Sequence, residues 1–328
     1  MQKKILNNLE NSSNKINDKY SFIINKDIDF SFSIFDNNKF IDLHSNNYKS
    51  IYKYLFIENK TQKYIGSIVF ALTNDNYIKS PLNGSYGGFE FNNDLDFFEK
   101  ENMILKVLSN IYSKNPKGID IVLPPDIYNS QNNTHQLSIL LRDNFHINHI
   151  EINQFIDIKK YDLNKTVKYG NRKNINKCLK KNLKFELLKM NQYRTAYEII
   201  KFSRQRKNYH LSMNWDDLII MINNFKDNFI IFGLFEEEFM IASAFCIKIS
   251  SKILYVFYWG ELDGYEKISP ISYLSYELTN FCKENNYQIL DLGTSSKDSI
   301  PNIGLINFKR SLGGKICNKF KLTKLIKH

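Results

Sequence analysis

Two neighbouring runs near the C-terminus carry most of the information about the fold. They are Gln288-Ile289-Leu290-Asp291-Leu292-Gly293-Thr294-Ser295-Ser296 and Gly304-Leu305-Ile306-Asn307-Phe308-Lys309-Arg310-Ser311-Leu312-Gly313-Gly314. The first run is apolar up to a glycine, which predicts a buried strand that ends in a turn. Strand ends of this kind face the ligand crevice in α/β sheets, so Asp291 marks a candidate site.

The elements before this strand predict a sheet with a crossover helix. Residues 229–235, 239–249 and 252–259 are rich in aromatic and β-branched residues, which predicts three strands. Residues 270–284 have apolar positions at helical spacing, and Pro270 falls in the first turn, where its missing N–H costs nothing. A helix therefore connects the third of these strands to the last one.

The first part of the chain repeats this order. Strands are predicted at 64–72 and 119–123, with a helix at 96–112 between them. Matching elements lie roughly 170 residues apart, which indicates two similar halves, 1–160 and 161–328. The fold class is α/β (α+β). A single α/β domain without duplication would give the same alternation.

A helical stretch lies between the halves. Residues 168–181 are basic, and residues 191–206 and 214–225 have apolar positions at helical spacing. Either Ser212 or Asn214 can cap the last of these helices.

The motifs resemble those of FemABX-type aminoacyltransferases and related acyltransferases. The matching features are a D-x-G strand end at 291–293, the glycine at 304, the F-K pair at 308–309 and a closing glycine. The resemblance covers about residues 165–320, and residues 50–160 only by layout and the Tyr86-Gly87-Gly88 turn. It implies a tandem GNAT-like acyl-CoA N-acyltransferase fold, with two mixed sheets flanked by helices.

The resemblance also implies an activity, transfer of an acyl or aminoacyl group to an amine of a sugar, peptide or cell-envelope precursor. Acyl-CoA or aminoacyl-tRNA would be the co-substrate, with no tightly bound cofactor. The R/Q-x-x-G-x-G/A loop of GNAT enzymes is replaced here by residues 264–272, although the following helix start can still hold a phosphate. Two alternatives stay open: acetyl-CoA-dependent acetylation of a soluble aminosugar, and a non-catalytic RNA-binding module.

Four residues are candidates for the chemistry. The family's F-K pair implies that Lys309, which follows Phe308, stabilises the oxyanion formed when an amine attacks an ester or thioester. Asp291 can orient or deprotonate that amine, and Glu261 is a second carboxylate candidate. The alternatives are a surface lysine and an aspartate that binds the N–H groups of the Gly293 turn.

Binding candidates are more numerous. Arginine forks suit phosphate or carboxylate, tyrosines can donate a proton to a leaving group, and glycines let a substrate approach the backbone. The candidates are Arg172, Arg204, Arg206, His210, Tyr258, Ser269, Ser272, Tyr273, Gly293, Ser295, Tyr86 and Gly87. His146 and His149 lack an evident third ligand, so no metal site is predicted.

Composition places limits on partners and compartment. The net charge of +11 favours an anionic partner, such as cofactor phosphates, tRNA or an anionic membrane surface, although AT-rich coding also produces lysine; DNA is not expected. The four cysteines form no CxxC pair, and the start of the chain lacks the apolar core of a signal peptide. These features predict a cytoplasmic protein.

Overall fold

The computed structural model describes residues 14–24, 27–92, 94–265 and 267–326. The start of the chain and position 266 of the 264–272 segment, both used in the sequence predictions, lie outside these ranges. No helix within the described ranges is long and apolar enough to cross a membrane.

Helices and strands alternate along the described chain. The helices are α1 (Asn38–His44), α2 (Phe97–Tyr112), α3 (Ser130–Arg142), α4 (Leu163–Thr166), α5 (Tyr169–Lys180), α6 (Tyr193–Arg206), α7 (Trp215–Asn224), α8 (Pro270–Glu284) and α9 (Ile303–Ser311). The strands are β1 (Asn14–Lys15), β2 (Tyr20–Ile24), β3 (Ser50–Glu58), β4 (Lys63–Leu72), β5 (Tyr77–Ser80), β6 (Glu90–Phe91), β7 (Gly118–Val122), β8 (His146–Asp157), β9 (Lys184–Leu187), β10 (Phe229–Glu236), β11 (Phe239–Ser250), β12 (Ile253–Glu261), β13 (Ile289–Thr294), β14 (Ser296–Lys297), β15 (Ile300–Pro301) and β16 (Lys315–Leu325).

The chain forms two compact units. The first consists of Met1–Ile150 with Asn318–His328, and the second of Glu151–Cys317. These units differ from halves of 1–160 and 161–328, because the first unit takes its last strand from the C-terminus of the chain. Lys321 of β16 lies opposite Val122 of β7 in an antiparallel pair.

The first unit is a mixed sheet covered by α2 and α3. Strands β2, β3, β4 and β5 pair antiparallel in that order, and β5 pairs parallel with β7. Asp96 and Glu99 form a capping box at the start of α2, which confirms the predicted helix. The apolar face of α2 (Met103, Ile104, Val107, Leu108 and Ile111) is fully buried in the core.

The second unit repeats the strand, helix, strand crossover. Strands β9 to β12 pair antiparallel, β12 pairs parallel with β13, and β8 completes the order beside β13. Helix α8 makes the crossover with the predicted bounds, and its buried residues share one core with β11 and β12. Helix α6 packs closely at Gly260, where a Cβ atom would lie 2.7 Å from the Cα of Ile200.

Sequence patterns missed helices α3 and α9. The core-facing positions of α3 include Asn132, Asn133 and Gln136, all buried. Amides at these positions hide the apolar stripe from which a helix is predicted. Helix α9 buries only Lys309 among its residues, so it has no apolar stripe to find.

Candidate functional site

Lys309 is a buried lysine anchored at the end of strand β13. Its side chain extends from the last turn of α9, and the residue is 2% exposed. The Nζ donates hydrogen bonds to the backbone carbonyls of Gly293 at 2.8 Å and Thr294 at 2.9 Å. An ammonium has three N–H groups, so these two bonds leave one for another acceptor.

A backbone irregularity at Gly293 presents these carbonyls. The register between β13 and β8 shifts between Asp291 and Gly293, and Gly293 has φ +75°. A Cβ atom there would lie 3.3 Å from the ring of Tyr255. Glycine is required at this position because it reaches positive φ freely and leaves room for that ring.

Asp291 holds the same turn. It is 1% exposed, and its Oδ1 accepts hydrogen bonds from the Gly293 N–H and from Nδ2 of Asn153, both at 2.8 Å. These contacts match the structural alternative for Asp291. Its negative charge also favours the ammonium form of Lys309.

The electrostatics around Lys309 lower its proton affinity. Burial lowers the pKa of Lys309 to about 7; Asp291 acts to raise this pKa, and the positive charge of Arg204 lowers it further. Near neutral pH both the ammonium and the neutral amine are therefore populated. Protonation becomes more favourable when a negative charge develops beside it.

Arg204 lies among tyrosines beside this amine. Its Nε and Nη2 donate to the carbonyl of His210, and its guanidinium lies 5.4 Å from the ring centroid of Tyr258. Burial lowers the pKa of Arg204, while the phenols of Tyr258, Tyr255 and Tyr209 act to raise it. Arg204 contacts His210 through the backbone carbonyl of that residue, and His210 itself is exposed.

A bulge places two tyrosines on one face of β12. Tyr258 pairs with Phe245, whereas Val256 pairs with the adjacent Cys246, so one extra residue lies between them. This change of register brings Tyr255 and Tyr258 to the same face. The Tyr258 hydroxyl bonds Ser212, and burial raises the pKa of Tyr258.

Ser295 ties the strand end to α9 indirectly. Its hydroxyl donates to Oε1 of Gln154 at 2.6 Å, and Nε2 of Gln154 donates to the carbonyl of Ile306 at 3.1 Å. Both residues are buried. The pair therefore supports the helix that carries Lys309.

The start of α8 is occupied by the protein itself. Glu261 Oε2 accepts from the Ile271 N–H at 3.2 Å. The hydroxyls of Ser269 and Ser272 bond each other at 2.9 Å, and Ser272 also donates to Asn171 at 3.0 Å. The structure thus places Glu261, Ser269 and Ser272 at the start of one helix, where each already bonds another group of the protein.

Tyr273 and Arg172, two predicted site residues, contact residues other than Lys309. The side chain of Tyr273 is buried in the core, with its ring stacked on Tyr276. Arg172 donates to the carbonyls of Asn164 and Val167, which stabilises the short helix α4. Arg172 thus contacts a neighbouring helix, and Tyr273 contacts the core and its own helix.

Two further predicted residues have other surroundings. Arg206 forms an ion pair with Asp263. Phe308 is half-buried, and its ring centroid lies 6.4 Å from that of Trp259. The Phe308 side chain therefore packs against β12 while the next residue, Lys309, reaches the strand end.

Tyr86 and Gly87 belong to the first unit. Together with Asp36, Ser67 and Glu90 they line a small pocket there. The ring of Tyr86 packs edge-on against its aromatic neighbours Phe35 and Tyr128. A Cβ at Gly87 would overlap the hydroxyl of Ser80, so this glycine is required by close packing.

Sequence reasoning missed Asn153, Gln154 and Tyr255. The first two are consecutive buried polar residues in the otherwise apolar second half of β8. Two adjacent amides in a buried strand are a usable signal, since buried polar groups need partners. Tyr255 gave no such signal, because an aromatic residue is ordinary in a strand.

Comparison with known proteins was made by sequence and by structure. No family model and no curated protein matches the sequence. Among solved structures, FemX matches with a TM-score of 0.65 and 14% identity, over 88% of this chain and 91% of that one. The chain has the FemABX-type fold.

Two further structures support this GNAT-like acyltransferase fold. L-PGS from Bacillus licheniformis matches with a TM-score of 0.57 and 11% identity, over 80% of this chain and 82% of that one. The C-terminal domain of a putative lysylphosphatidylglycerol synthetase from Agrobacterium fabrum matches with a TM-score of 0.56 and 9% identity, over 87% of this chain and 86% of that one. At these identities the likeness establishes the α/β fold, and the chemistry has to be argued from the site.

Proposed function

We propose that the protein transfers an acyl or aminoacyl group from an activated ester or thioester to an amine, with Lys309 stabilising the oxyanion. The observation that carries this proposal is the geometry of the Lys309 amine. It is buried and fixed by two backbone carbonyls, with one N–H left for a substrate. A fixed donor in a dry site stabilises developing charge better than a solvated one, because it needs no reorganisation.

In this reaction the acceptor nitrogen attacks the acyl carbonyl and forms a C–N bond. The carbonyl electrons move to oxygen, and the third N–H of the Lys309 ammonium donates to that oxyanion. When the oxyanion collapses, the bond to the leaving oxygen or sulfur breaks. The proton lost by the nitrogen then ends on the leaving group, so charge and atoms balance.

The charges around Lys309 support an anionic intermediate. A lysine whose pKa lies near 7 loses part of its charge at neutral pH, and an adjacent oxyanion restores it. Arg204 adds a second cation to the same neighbourhood, and its effect on Lys309 shows that the two charges interact. The neighbourhood therefore favours negative charge in the reacting group.

The acceptor class rests on the likeness to FemX and to the lysylphosphatidylglycerol synthetase domain. We propose an amine on a sugar, a peptide or a cell-envelope precursor. The proposed donor is either aminoacyl-tRNA or acyl-CoA. The proposed partners are these donors and acceptors, together with an anionic membrane surface for lipid-linked acceptors.

Amide formation in a defined mixture tests the proposal. Purified protein is incubated with aminoacyl-tRNA carrying isotope-labelled amino acids, or with acyl-CoA, and with a panel of amine acceptors. Mass spectrometry should detect a labelled amide with the wild type and about 100-fold less with Lys309→Met. If a folded Lys309→Met protein forms the amide at the wild-type rate, Lys309 has no role in the chemistry.

A further inference from the structure

The first turn of helix α8 offers no open N–H group to an anion. A long helix normally presents several free N–H groups at its start, which bind phosphates. Here the first helical residue is Pro270, which has no N–H. The next N–H, of Ile271, donates to Glu261 at 3.2 Å, and that of Ser272 donates to the carbonyl of Ser269 at 2.9 Å.

The carboxylate of Glu261 has the position and charge of a bound anion. Its side chain is only 12% exposed, although it comes from the last residue of β12. On its other side Lys207 contributes an ammonium at 3.4 Å from Oε1. A carboxylate between a helix start and a lysine is stabilised by the helix dipole and by the cation.

The hydroxyl groups nearby are also used within the protein. Ser269 and Ser272 bond each other, and Ser272 donates to Asn171 at 3.0 Å. The amide of Asn171 in turn donates to Ser311 at 2.6 Å. A phosphate entering this place would have to displace Glu261 and break this chain of hydrogen bonds.

We infer that Glu261 determines donor specificity by occupying the anion position at the start of α8, so that a donor held there by a diphosphate, such as coenzyme A, is excluded. This inference rests on the proposed function, since it selects between the two donors of that reaction. It leaves an aminoacyl ester on RNA, whose phosphates bind elsewhere. Glu261, the second carboxylate candidate of the sequence, thereby acts in donor selection. It does so by contact with the helix start rather than with the reacting amine.

Direct binding of free coenzyme A tests this inference without any turnover. Isothermal titration of coenzyme A, and separately of inorganic pyrophosphate, is carried out on the wild type, Glu261→Ala and Glu261→Gln. The wild type should show no saturable binding in the low millimolar range. Glu261→Ala should bind at least tenfold more tightly, because the Ile271 N–H and Lys207 lose their carboxylate. Glu261→Gln, which keeps an acceptor but loses the charge, should gain less.

A control variant separates the site from the net charge. Glu238→Ala removes an exposed carboxylate in the turn after β10 and should gain no coenzyme A binding. If Glu261→Ala fails to fold, the comparison of Glu261→Gln with Glu238→Gln decides. The inference is overturned if the wild type binds coenzyme A as tightly as the variants, or if opening the helix start gives no gain. A failure of the proposed function would appear instead as the absence of amide product, whatever the binding result.

Discussion

Lys53 in the first unit and Lys309 in the second are both buried, and they differ in what surrounds their charge. Lys53 in the first unit is fully buried, and its Nζ donates to Asn38 at 2.6 Å and to the Ile28 carbonyl at 3.1 Å. Burial lowers the pKa of Lys53, and the carboxylates of Asp36 and Asp29 oppose that shift.

Lys309 in the second unit has one opposing carboxylate, Asp291, and a neighbouring cation, Arg204. Both lysines have two acceptors, so hydrogen bonding alone does not distinguish them. The charge balance does, because Lys53 is compensated by two carboxylates, whereas the single carboxylate near Lys309 is offset by the cation of Arg204. We therefore assign Lys53 to the architecture of its unit and Lys309 to an anionic reaction intermediate.

The largest expected difference between the two lysines is in turnover. Lys309→Met should lower the rate of amide formation by about 100- to 1000-fold, since an oxyanion donor is lost. Lys53→Met should leave the rate per folded molecule within about twofold and instead lower the midpoint of thermal unfolding. Rates of labelled amide formation, normalised to folded protein by circular dichroism, measure both. Equal losses of rate in the two variants would remove the distinction.

The pH dependence of stability tests the lowered pKa of Lys309. The pKa of Lys309 is about 7 in the folded protein against an ordinary value of 10.5, so unfolding takes up a proton between these pH values. The free energy of unfolding should therefore rise with pH in this window, by up to about 1.4 kcal/mol per pH unit from this group. Urea titrations at pH 7.5 and 9.5 should show a smaller rise in Lys309→Met. An unchanged rise would mean that Lys309 stays protonated in the fold.

Glycine substitutions sharpen the comparison between the site and a plain turn. Gly293 and Gly264 both have positive φ, but only Gly293 carries an acceptor of Lys309 and lies against Tyr255. Alanine should destabilise either position by about 1 kcal/mol through strain. Gly293→Ala should in addition lower turnover by about tenfold, because the carbonyls that fix Lys309 shift. Similar turnover in both variants would show that the bulge does not position the amine.

The smallest expected effect concerns an acidic residue of the first unit. Burial and the neighbouring Asp36 raise the pKa of Glu90 to about 8. The folded protein therefore keeps a proton that the unfolded chain loses, and the free energy of unfolding falls as pH rises from about 4.5 to 8. Glu90→Gln should remove this fall, so that the stability of the variant changes less between pH 5 and 8 than that of the wild type. The same urea titrations at pH 5 and 8 would reveal it, and parallel pH profiles would contradict it.

Part of the site could be predicted from local sequence and part could not. The D-x-G strand end and the F-K pair pointed to Asp291, Gly293 and Lys309 as candidates, and the structure joins these three residues by hydrogen bonds. Tyr273 and Arg172 were plausible by residue type, yet each contacts only structural partners. Residue type reports what a side chain can do, whereas its partners depend on the packing of distant elements.

The sequence by itself determined the two strand, helix, strand crossovers and the α/β class, because periodic burial is a local property of the chain. The bounds of α8 and of α2 are clear examples. Only the tertiary structure decided that β16 completes the first unit, that Glu261 covers the start of α8, and that Lys309 is buried. The pairing of β16 with β7 and the burial of Lys309 bring together residues that are distant in the sequence. These two features and the position of Glu261 depend on packing, which no local pattern of residue types encodes.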